Sequence, residues 1–165
     1  VLGKDFIQGQ LRTVPVIATT TMLFGAALWY ADRRPTSNSA ITWQAAGLIG
    51  LAQAIALIPG TSRSGITITA ALLLGLSRVE AARFSFLLAI PTIAGAQLLL
   101  SLDLAEGGVE TDLAKVAAGA ALAGVSAYLG IHYFIQLVER TGMLPYVVYR
   151  MLLGLVLFGL VYAGI

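Results

Sequence analysis

Long uncharged stretches, separated by short charged links, make up most of the chain. Residues 13–31 carry no charged side chain, and neither do residues 84–102 or 116–138. Residues 141–165 contain a single charge, Arg150, in their first half. A helix needs roughly 20 mostly apolar residues to cross a bilayer. The pattern therefore predicts four simple membrane spans, at about 14–31, 84–102, 114–138 and 145–164.

Residues 40–76 have a different pattern. The segment AITWQAAGLIGLAQAIAL is long enough for a nearly complete crossing, but Pro59-Gly60 then breaks the helix. The apolar segment ITITAALLLGL that follows reaches roughly 16 Å as a helix, about half of the hydrocarbon core. This pattern predicts a broken, re-entrant hairpin over about 40–76, with PGTSRSG at its turn. Such backbone persists at membrane depth only where protein or a wet cavity satisfies its polar groups.

The composition supports a membrane protein. The chain is 58% hydrophobic and 11% charged, with a mean hydropathy of +0.88, whereas soluble domains carry about 25% charged residues. A net charge of +2 gives no reason to expect nucleic acid as a partner, and the lack of cysteine with a single histidine argues against a thiolate or zinc site. We therefore expect an all-α, polytopic transmembrane bundle with one re-entrant hairpin, forming a single membrane domain over 1–165.

The charged links predict an orientation. The link 101–112 has four acidic residues and no basic one, which places it on the outer side. If the hairpin returns to the side it entered, the more basic links fall inside, with Arg33, Arg34, Arg78, Arg83 and Arg140. Lys4 and Arg12 fall outside and disagree with the positive-inside rule. The first arm of the hairpin would then carry the PGTSRSG turn towards the outer half of the membrane.

Arg63, in the stretch IPGTSRSGITI, is the charge that needs an explanation. The nearest charges in the sequence are Arg34 and Arg78, and the segment holds no acid to pair with it. An ionisable group inside a membrane protein is costly and usually functional. Hydroxyl side chains and glycines, which permit close backbone approach, surround it: Gly60, Thr61, Ser62, Ser64, Gly65 and Thr67.

These residues together predict an oxyanion site, with phosphate as the favoured ligand. A helix expected to begin at about Ile66 would add free N–H groups and the positive end of its dipole. Arginine binds phosphate oxygens bidentately. Two alternatives stay open, namely that Arg63 pairs with a carboxylate elsewhere in the fold or faces water at the tip of the hairpin. The missing Gly-Lys-Ser/Thr of a Walker A loop argues against nucleotide binding.

Three further features have more than one interpretation. Ser62 could be a nucleophile, but a nucleophile needs a base within hydrogen-bond reach, and none is nearby in sequence, so binding is favoured. Gln53 could contact the ligand or the turn, or could equally make an interhelical hydrogen bond. The small residues Ala120 and Gly124 suit close helix packing. That packing is favoured within one subunit, and a homodimer stays open.

At this point the residues resemble a known family. The stretch GLAQAIALIPGTSRSGITI, followed by LLLGLSRVEAARFSFLLAIP, looks like the second signature region of the undecaprenyl-diphosphate phosphatases, bacterial membrane enzymes linked to bacitracin resistance. The match is nearly continuous from Gly50 to Pro91, and PYVVYRMLLGL is similar to the family's C-terminal part. The resemblance implies a multi-pass protein of the bacterial inner membrane. It would remove the terminal phosphate of undecaprenyl diphosphate, giving the monophosphate carrier used in cell-wall synthesis.

The resemblance also implies roles for single residues. Arg63 would hold the diphosphate, and Ser62, Ser64 and Thr67 match the hydroxyl positions of the motif. Family members have two inverted repeats, each with a hairpin, and a divalent cation, Mg²⁺ or Ca²⁺, is linked to acidic residues of the first repeat. This chain has no E-x-x-x-E in an apolar span, and His132 lies in a different context. We therefore expect the C-terminal repeat of a longer protein, with half of the active site and without the cation's ligands.

Two other functions stay open. One is a transporter or flippase that binds a lipid phosphate without cleaving it, because broken helices directed at an anion are common in transporters. The other is a non-catalytic fragment. Paired glutamates in an upstream hairpin would favour the enzyme.

Overall fold

A computed structural model describes residues 13–37, 41–106 and 112–164, and all regular structure in these ranges is helical. A 3₁₀ turn, Ala54–Leu57, extends the second helix. The helices, numbered here in chain order, are α1 Val14–Asp32, α2 Trp43–Gln53, α3 Arg63–Leu73, α4 Arg78–Glu106, α5 Leu113–Thr141 and α6 Leu144–Tyr162. The expected all-α fold is confirmed.

Four of these helices are long and apolar enough to cross a membrane, namely α1, most of α4, α5 and α6. The four predicted spans are thus confirmed in number and order. Helix α4 begins at Arg78, before the predicted span at about 84–102, because Ser77 and Glu80 cap it, as their S-x-x-E spacing predicts. The Ser77 N–H donates to Glu80 Oε2 over 3.0 Å, and the Glu80 N–H donates to Ser77 Oγ over 3.3 Å. This capping box satisfies donors of the first turn, so the charged residues before 84 are helical.

The segment from α2 to α3 forms a hairpin, and its α3 end lies near the Asp32 end of α1. Ser37, in the link after α1, donates its N–H to the carbonyl of Gly75, just after α3, over 3.1 Å. The tip of the hairpin instead meets the middle of α1, where Thr20 Oγ1 donates to the Pro59 carbonyl over 2.6 Å. At 1.5 Å per residue, the tip lies about 18 Å from the Asp32 end of α1. The tip of the hairpin therefore stops short of a complete crossing of a core of roughly 30 Å.

The basic links meet at this end of the bundle, here called the basic end. The Asp32 carboxylate accepts from Arg78 Nε at 2.6 Å and from Arg78 Nη2 at 3.1 Å. It also accepts from the Met143 N–H over 3.3 Å, which holds the α5–α6 link beside the start of α4. Asp112 caps the opposite end of α5. The basic end carries Arg33, Arg34, Arg78 and Arg140.

Helix α3 is the most enclosed helix of the described chain. Seven of its 11 residues are buried, and it packs on α1, α2 and α4. Ile68 and Leu72 join Leu28 of α1 in the core. Because lipid tails are as apolar as leucine, close packing rather than transfer from water holds such a helix in place. The surrounding helices therefore determine where the start of α3, and with it the PGTSRSG turn, is placed.

Candidate functional site

Helix α3 begins at Arg63, so the expected start near Ile66 was wrong by nearly one turn. The reason is the side chain of Ser62, which caps the helix. Ser62 Oγ accepts from the Gly65 N–H over 3.3 Å, and the Ser62 carbonyl accepts from the Ile66 N–H over 3.0 Å. Ser62 has φ of 67°, in a region that costs a non-glycine residue on the order of 1–3 kcal/mol. The surrounding contacts must hold the turn in this strained conformation.

The start of α3 has donors with no acceptor among the described residues. Ser62 accepts hydrogen bonds from the N–H groups of Gly65 and Ile66 only. The N–H groups of Arg63 and Ser64 have no acceptor among the described residues. The half-buried Arg63 guanidinium has no hydrogen bond or ion pair in the described ranges. No described carboxylate therefore supports the alternative of a structural ion pair. A cation and two N–H groups at the positive end of a helix dipole suit an anion.

Arg63 lines a cavity of about 430 Å³ together with Gln53 and Thr92. Gln53 Nε2 donates to Thr92 Oγ1 over 3.0 Å, so the interhelical hydrogen bond considered for this amide is present. A ligand contact by Gln53 stays a prediction. Thr92 follows the start of α4 by 14 residues, which places this cavity about 21 Å from the basic end.

The predicted hydroxyl residues have separate environments. Thr67 is buried, and its Oγ1 lies 3.1 Å from the carbonyl of Arg63 and 2.6 Å from Ser85 Oγ. This hydroxyl joins α3 to α4. Ser64 lines a different cavity, on the α5 side. Thr61 is fully buried, and its Oγ1 has no hydrogen-bond partner in the described part of the chain. Their substrate-binding roles stay predictions.

Arg150 belongs to the site, although the sequence pattern did not single it out. Its side chain is 4% exposed. Its Nη2 donates to the Gly60 carbonyl over 2.7 Å, and its Nε donates to the Thr21 carbonyl over 3.1 Å. It has no ion pair with any described carboxylate. The sequence feature that could have identified Arg150 is its position as the one charge in an apolar span, because a buried cation in a membrane is costly.

Tyr146, one turn before Arg150, holds the other side of the turn. Its hydroxyl lies 2.8 Å from Ser62 Oγ, and its ring centroid lies 5.8 Å from Arg150 Cζ. Helix α6 therefore contacts the turn both at Gly60 and at Ser62. No histidine or carboxylate among the described residues is bonded to Ser62, and a nucleophilic role for it stays a prediction.

Gly60 gives a direct test of this packing. Its φ is +88°, and an added Cβ would lie 2.2 Å from Thr20 Oγ1 and 2.6 Å from the Ile17 carbonyl. We expect Gly60→Ala to lower the free energy of unfolding by at least about 1–3 kcal/mol, the usual cost of such backbone strain. The measurement is thermal unfolding of the purified protein in detergent.

Gly124→Ala is the matched control, because no atom lies within 4 Å of a Cβ added there. In a helix interior this change should leave stability unchanged or raise it by up to about 1 kcal/mol. Equal unfolding temperatures for the two variants would show that the turn is not held against α1 as described.

The residues around Arg63 do not form a site for a divalent cation. Magnesium and calcium prefer carboxylate and carbonyl oxygens. The described residues include no group of three or more His, Cys, Asp or Glu side chains placed to hold a metal ion. We therefore derive no step through a cation, and a Mg²⁺ or Ca²⁺ ion held by acidic residues outside this chain stays a proposal.

The fold and the site define a class of protein. It is a polytopic helical membrane protein with a cationic, donor-rich turn at the tip of a re-entrant hairpin. The family described as bacitracin resistance protein BacA matches residues 1–156, and the chain belongs to this family.

Two curated proteins are similar in sequence to this chain. The chain is 52% identical over 162 residues to "Undecaprenyl-diphosphatase 2" of Stutzerimonas stutzeri (strain A1501). It is 57% identical over 159 residues to "Undecaprenyl-diphosphatase" of Alcanivorax borkumensis (strain ATCC 700651 / DSM 11573 / NCIMB 13689 / SK2). Each match covers 94% of this chain and 60% of the relative. The chain thus spans about 60% of the length of these relatives.

Proposed function

We propose that this chain is the C-terminal part of an undecaprenyl-diphosphate phosphatase of the bacterial inner membrane. It would hold the half of the active site that binds the diphosphate. The observation that carries this proposal is the half-buried Arg63 guanidinium, which has no partner in the described ranges and lies beside two free N–H groups. The names of both relatives support the substrate.

Hydrolysis breaks the bond between the terminal phosphorus and the bridging oxygen, and water supplies the new oxygen. Negative charge is spread over the phosphoryl oxygens in the transition state. The Arg63 guanidinium would contact two of these oxygens, and the N–H groups of Arg63 and Ser64 would donate to the same anion. The residue that activates the water would come from outside this chain. Arg150 would act as a positioning residue, through the carbonyl of Gly60.

The site would open to the outer half of the membrane. The hairpin tip is about 18 Å from the basic end along α1, and the Arg63 cavity is about 21 Å from it along α4, within a core of roughly 30 Å. The positive-inside rule places the basic end in the cytoplasm. The turn would therefore face the outer leaflet, where released lipid diphosphate could be bound without crossing the bilayer.

Cysteine labelling tests this orientation. The chain has no cysteine, and Leu57, which is 68% exposed, lines the Arg63 cavity. We expect Leu57→Cys to react with a membrane-impermeant maleimide added outside intact cells. Thr36→Cys, at the basic end, should react only in inverted vesicles. Reaction of Leu57→Cys from the cytoplasmic side alone would reverse the proposed orientation.

The test of the function is release of inorganic phosphate from undecaprenyl diphosphate by the purified full-length protein in detergent. We expect release with multiple turnovers. Binding or movement of the lipid without release would instead favour a transporter. A homodimer stays a prediction, which size measurement in the same detergent would test.

A further inference from the structure

The hydroxyl of Tyr146, on α6, meets the residue that caps α3. Its oxygen lies 2.8 Å from Ser62 Oγ, and this is the one hydrogen bond that the phenol forms with the described residues. Ser62 Oγ also accepts from the Gly65 N–H over 3.3 Å. Tyr146 and Ser62 are 84 positions apart in the sequence. The cap of α3 is therefore bonded to a side chain from the last described helix.

The close approach of α6 to this cap needs a residue without a side chain at position 65. A Cβ added at Gly65 would lie 3.2 Å from Ser62 Oγ and 3.3 Å from Arg150 Nη1, closer than ordinary van der Waals contact. Tyr146 and Arg150 are four residues apart, so their side chains lie on the same face of α6. The structure thus brings the phenol and the guanidinium together at the first turn of α3.

The hydrogen bonds of Ser62 Oγ leave its proton as the group without a fixed partner. A serine hydroxyl has one proton to donate and two lone pairs that accept. The Gly65 N–H uses one lone pair. A phenol donates more strongly and accepts more weakly than an aliphatic alcohol, because its oxygen lone pair is delocalised into the ring. This difference favours Tyr146 as the donor, which leaves the Ser62 proton with no acceptor in the part of the chain that the structure describes.

We propose that Tyr146 is a positioning residue, whose hydroxyl donates to Ser62 Oγ and so directs the Ser62 proton to the phosphate oxygens of the substrate. This inference rests on the proposed function. Ser62 Oγ is bonded to the third N–H of α3, beside the free N–H groups of Arg63 and Ser64. An anion at this helix end accepts from all three groups. Hydrogen bonds to an ionised acceptor are roughly twice as strong as neutral ones, so the direction of this proton matters to the bound phosphate.

Three variants of the full-length protein isolate the effect of this hydroxyl. Tyr146→Phe keeps the ring beside Arg150 and removes only the donor. Ser62→Gly removes the acceptor and preserves the backbone, because glycine adopts a φ of 67° without strain and caps a helix nearly as well as serine. The third variant carries both changes. Tyr149→Phe is the control, since Tyr149 lies on the same helix and is 59% exposed.

The kinetic test is whether the two changes act through one another. We expect Tyr146→Phe to lower kcat/KM for undecaprenyl diphosphate about tenfold. In the Ser62→Gly background the same change should have no further effect, because the phenol acts through Ser62 alone. A merely structural role of the phenol predicts the same loss in both backgrounds, and that result would overturn the proposal. Full activity of Tyr146→Phe would also overturn it, because this is the outcome if Ser62 instead donates to the phenol.

Binding of a diphosphate that cannot be hydrolysed separates this role from the proposed function. The probe is farnesyl methylenediphosphonate, titrated calorimetrically into the protein in detergent. We expect Tyr146→Phe to raise Kd about tenfold, again only where Ser62 is present. If this pattern appears but the wild type releases no phosphate from undecaprenyl diphosphate, the proposed function fails while Tyr146 still positions Ser62 for a bound diphosphate. If phosphate release is normal and Tyr146→Phe binds the probe as the wild type does, the role of Tyr146 fails and the proposed function stands. A wild type that does not bind the probe would contradict the anion site at the turn, and with it the role of Tyr146.

Discussion

Replacing Arg63 with alanine in the full-length protein will lower kcat/KM for phosphate release from undecaprenyl diphosphate at least about 100-fold, or roughly 2.7 kcal/mol. The guanidinium is the one described cation at the turn that has no protein partner, so its charge is available to the substrate and the transition state. Arg63→Lys should recover only part of the activity, because an ammonium cannot bind two phosphate oxygens as a planar fork. Steady-state kinetics in detergent measure both effects.

The Arg63→Ala variant should fold normally. Because the Arg63 guanidinium bonds to no described residue, its removal breaks no described hydrogen bond or ion pair, and the unfolding temperature should be close to that of the wild type. Arg33→Ala is a control, since Arg33 lies at the basic end over the ring of Trp29. Its activity should be close to that of the wild type. Full activity of Arg63→Ala would show that the turn does not bind phosphate through this side chain.

Replacing Arg150 with methionine will lower both stability and activity. Methionine keeps much of the side-chain volume but leaves the carbonyl of Thr21 without a partner from α6 and removes the shortest bond to the carbonyl of Gly60. Losing a hydrogen bond donated by a charged group costs about 1.5–3 kcal/mol. Because the Gly60 carbonyl positions the turn, we expect kcat to fall on the order of 100-fold. Thermal unfolding and kinetics on the same preparation measure the two losses.

The combination of losses distinguishes a positioning residue from a phosphate ligand. Arg63→Ala should lose activity alone, whereas Arg150→Met should lose activity together with thermal stability. Arg150→Lys keeps the charge but cannot donate to two carbonyls in the same geometry, and it should be intermediate in both measurements. Tyr149→Phe is the control, because the neighbouring Tyr149 is 59% exposed. An Arg150→Met variant with normal kcat would contradict the coupling of α6 to the turn.

The lengths of the apolar runs determined the membrane fold. The thickness of the bilayer sets how many apolar residues a span needs, so four long runs predicted four spanning helices. The stretch before Pro59-Gly60 and the short run after it predicted the hairpin, because neither completes a second crossing. The site at Arg63 was predictable for a similar reason, since an isolated charge between apolar segments must have a function or a partner.

The residue at which α3 begins could not be predicted from the local sequence pattern alone. Ser62 caps the helix from a backbone conformation that non-glycine residues rarely adopt, and the hydroxyl of Tyr146 lies within hydrogen-bond distance of its Oγ. A sequence pattern gives no account of such a strained residue. The predicted start near Ile66 therefore missed the two residues, Arg63 and Ser64, whose free N–H groups lie at the site.

The sequence by itself determined the spans, the hairpin and the cation at its turn, because these depend on apolar length and on the cost of charge in lipid. Only the tertiary structure decided what holds the turn and which groups remain free. Gly60 and Arg150 are 90 positions apart, and no local pattern relates two residues at that distance. Their contact exists because α6 packs against α1, and that packing brings a buried guanidinium to the Gly60 carbonyl of the turn.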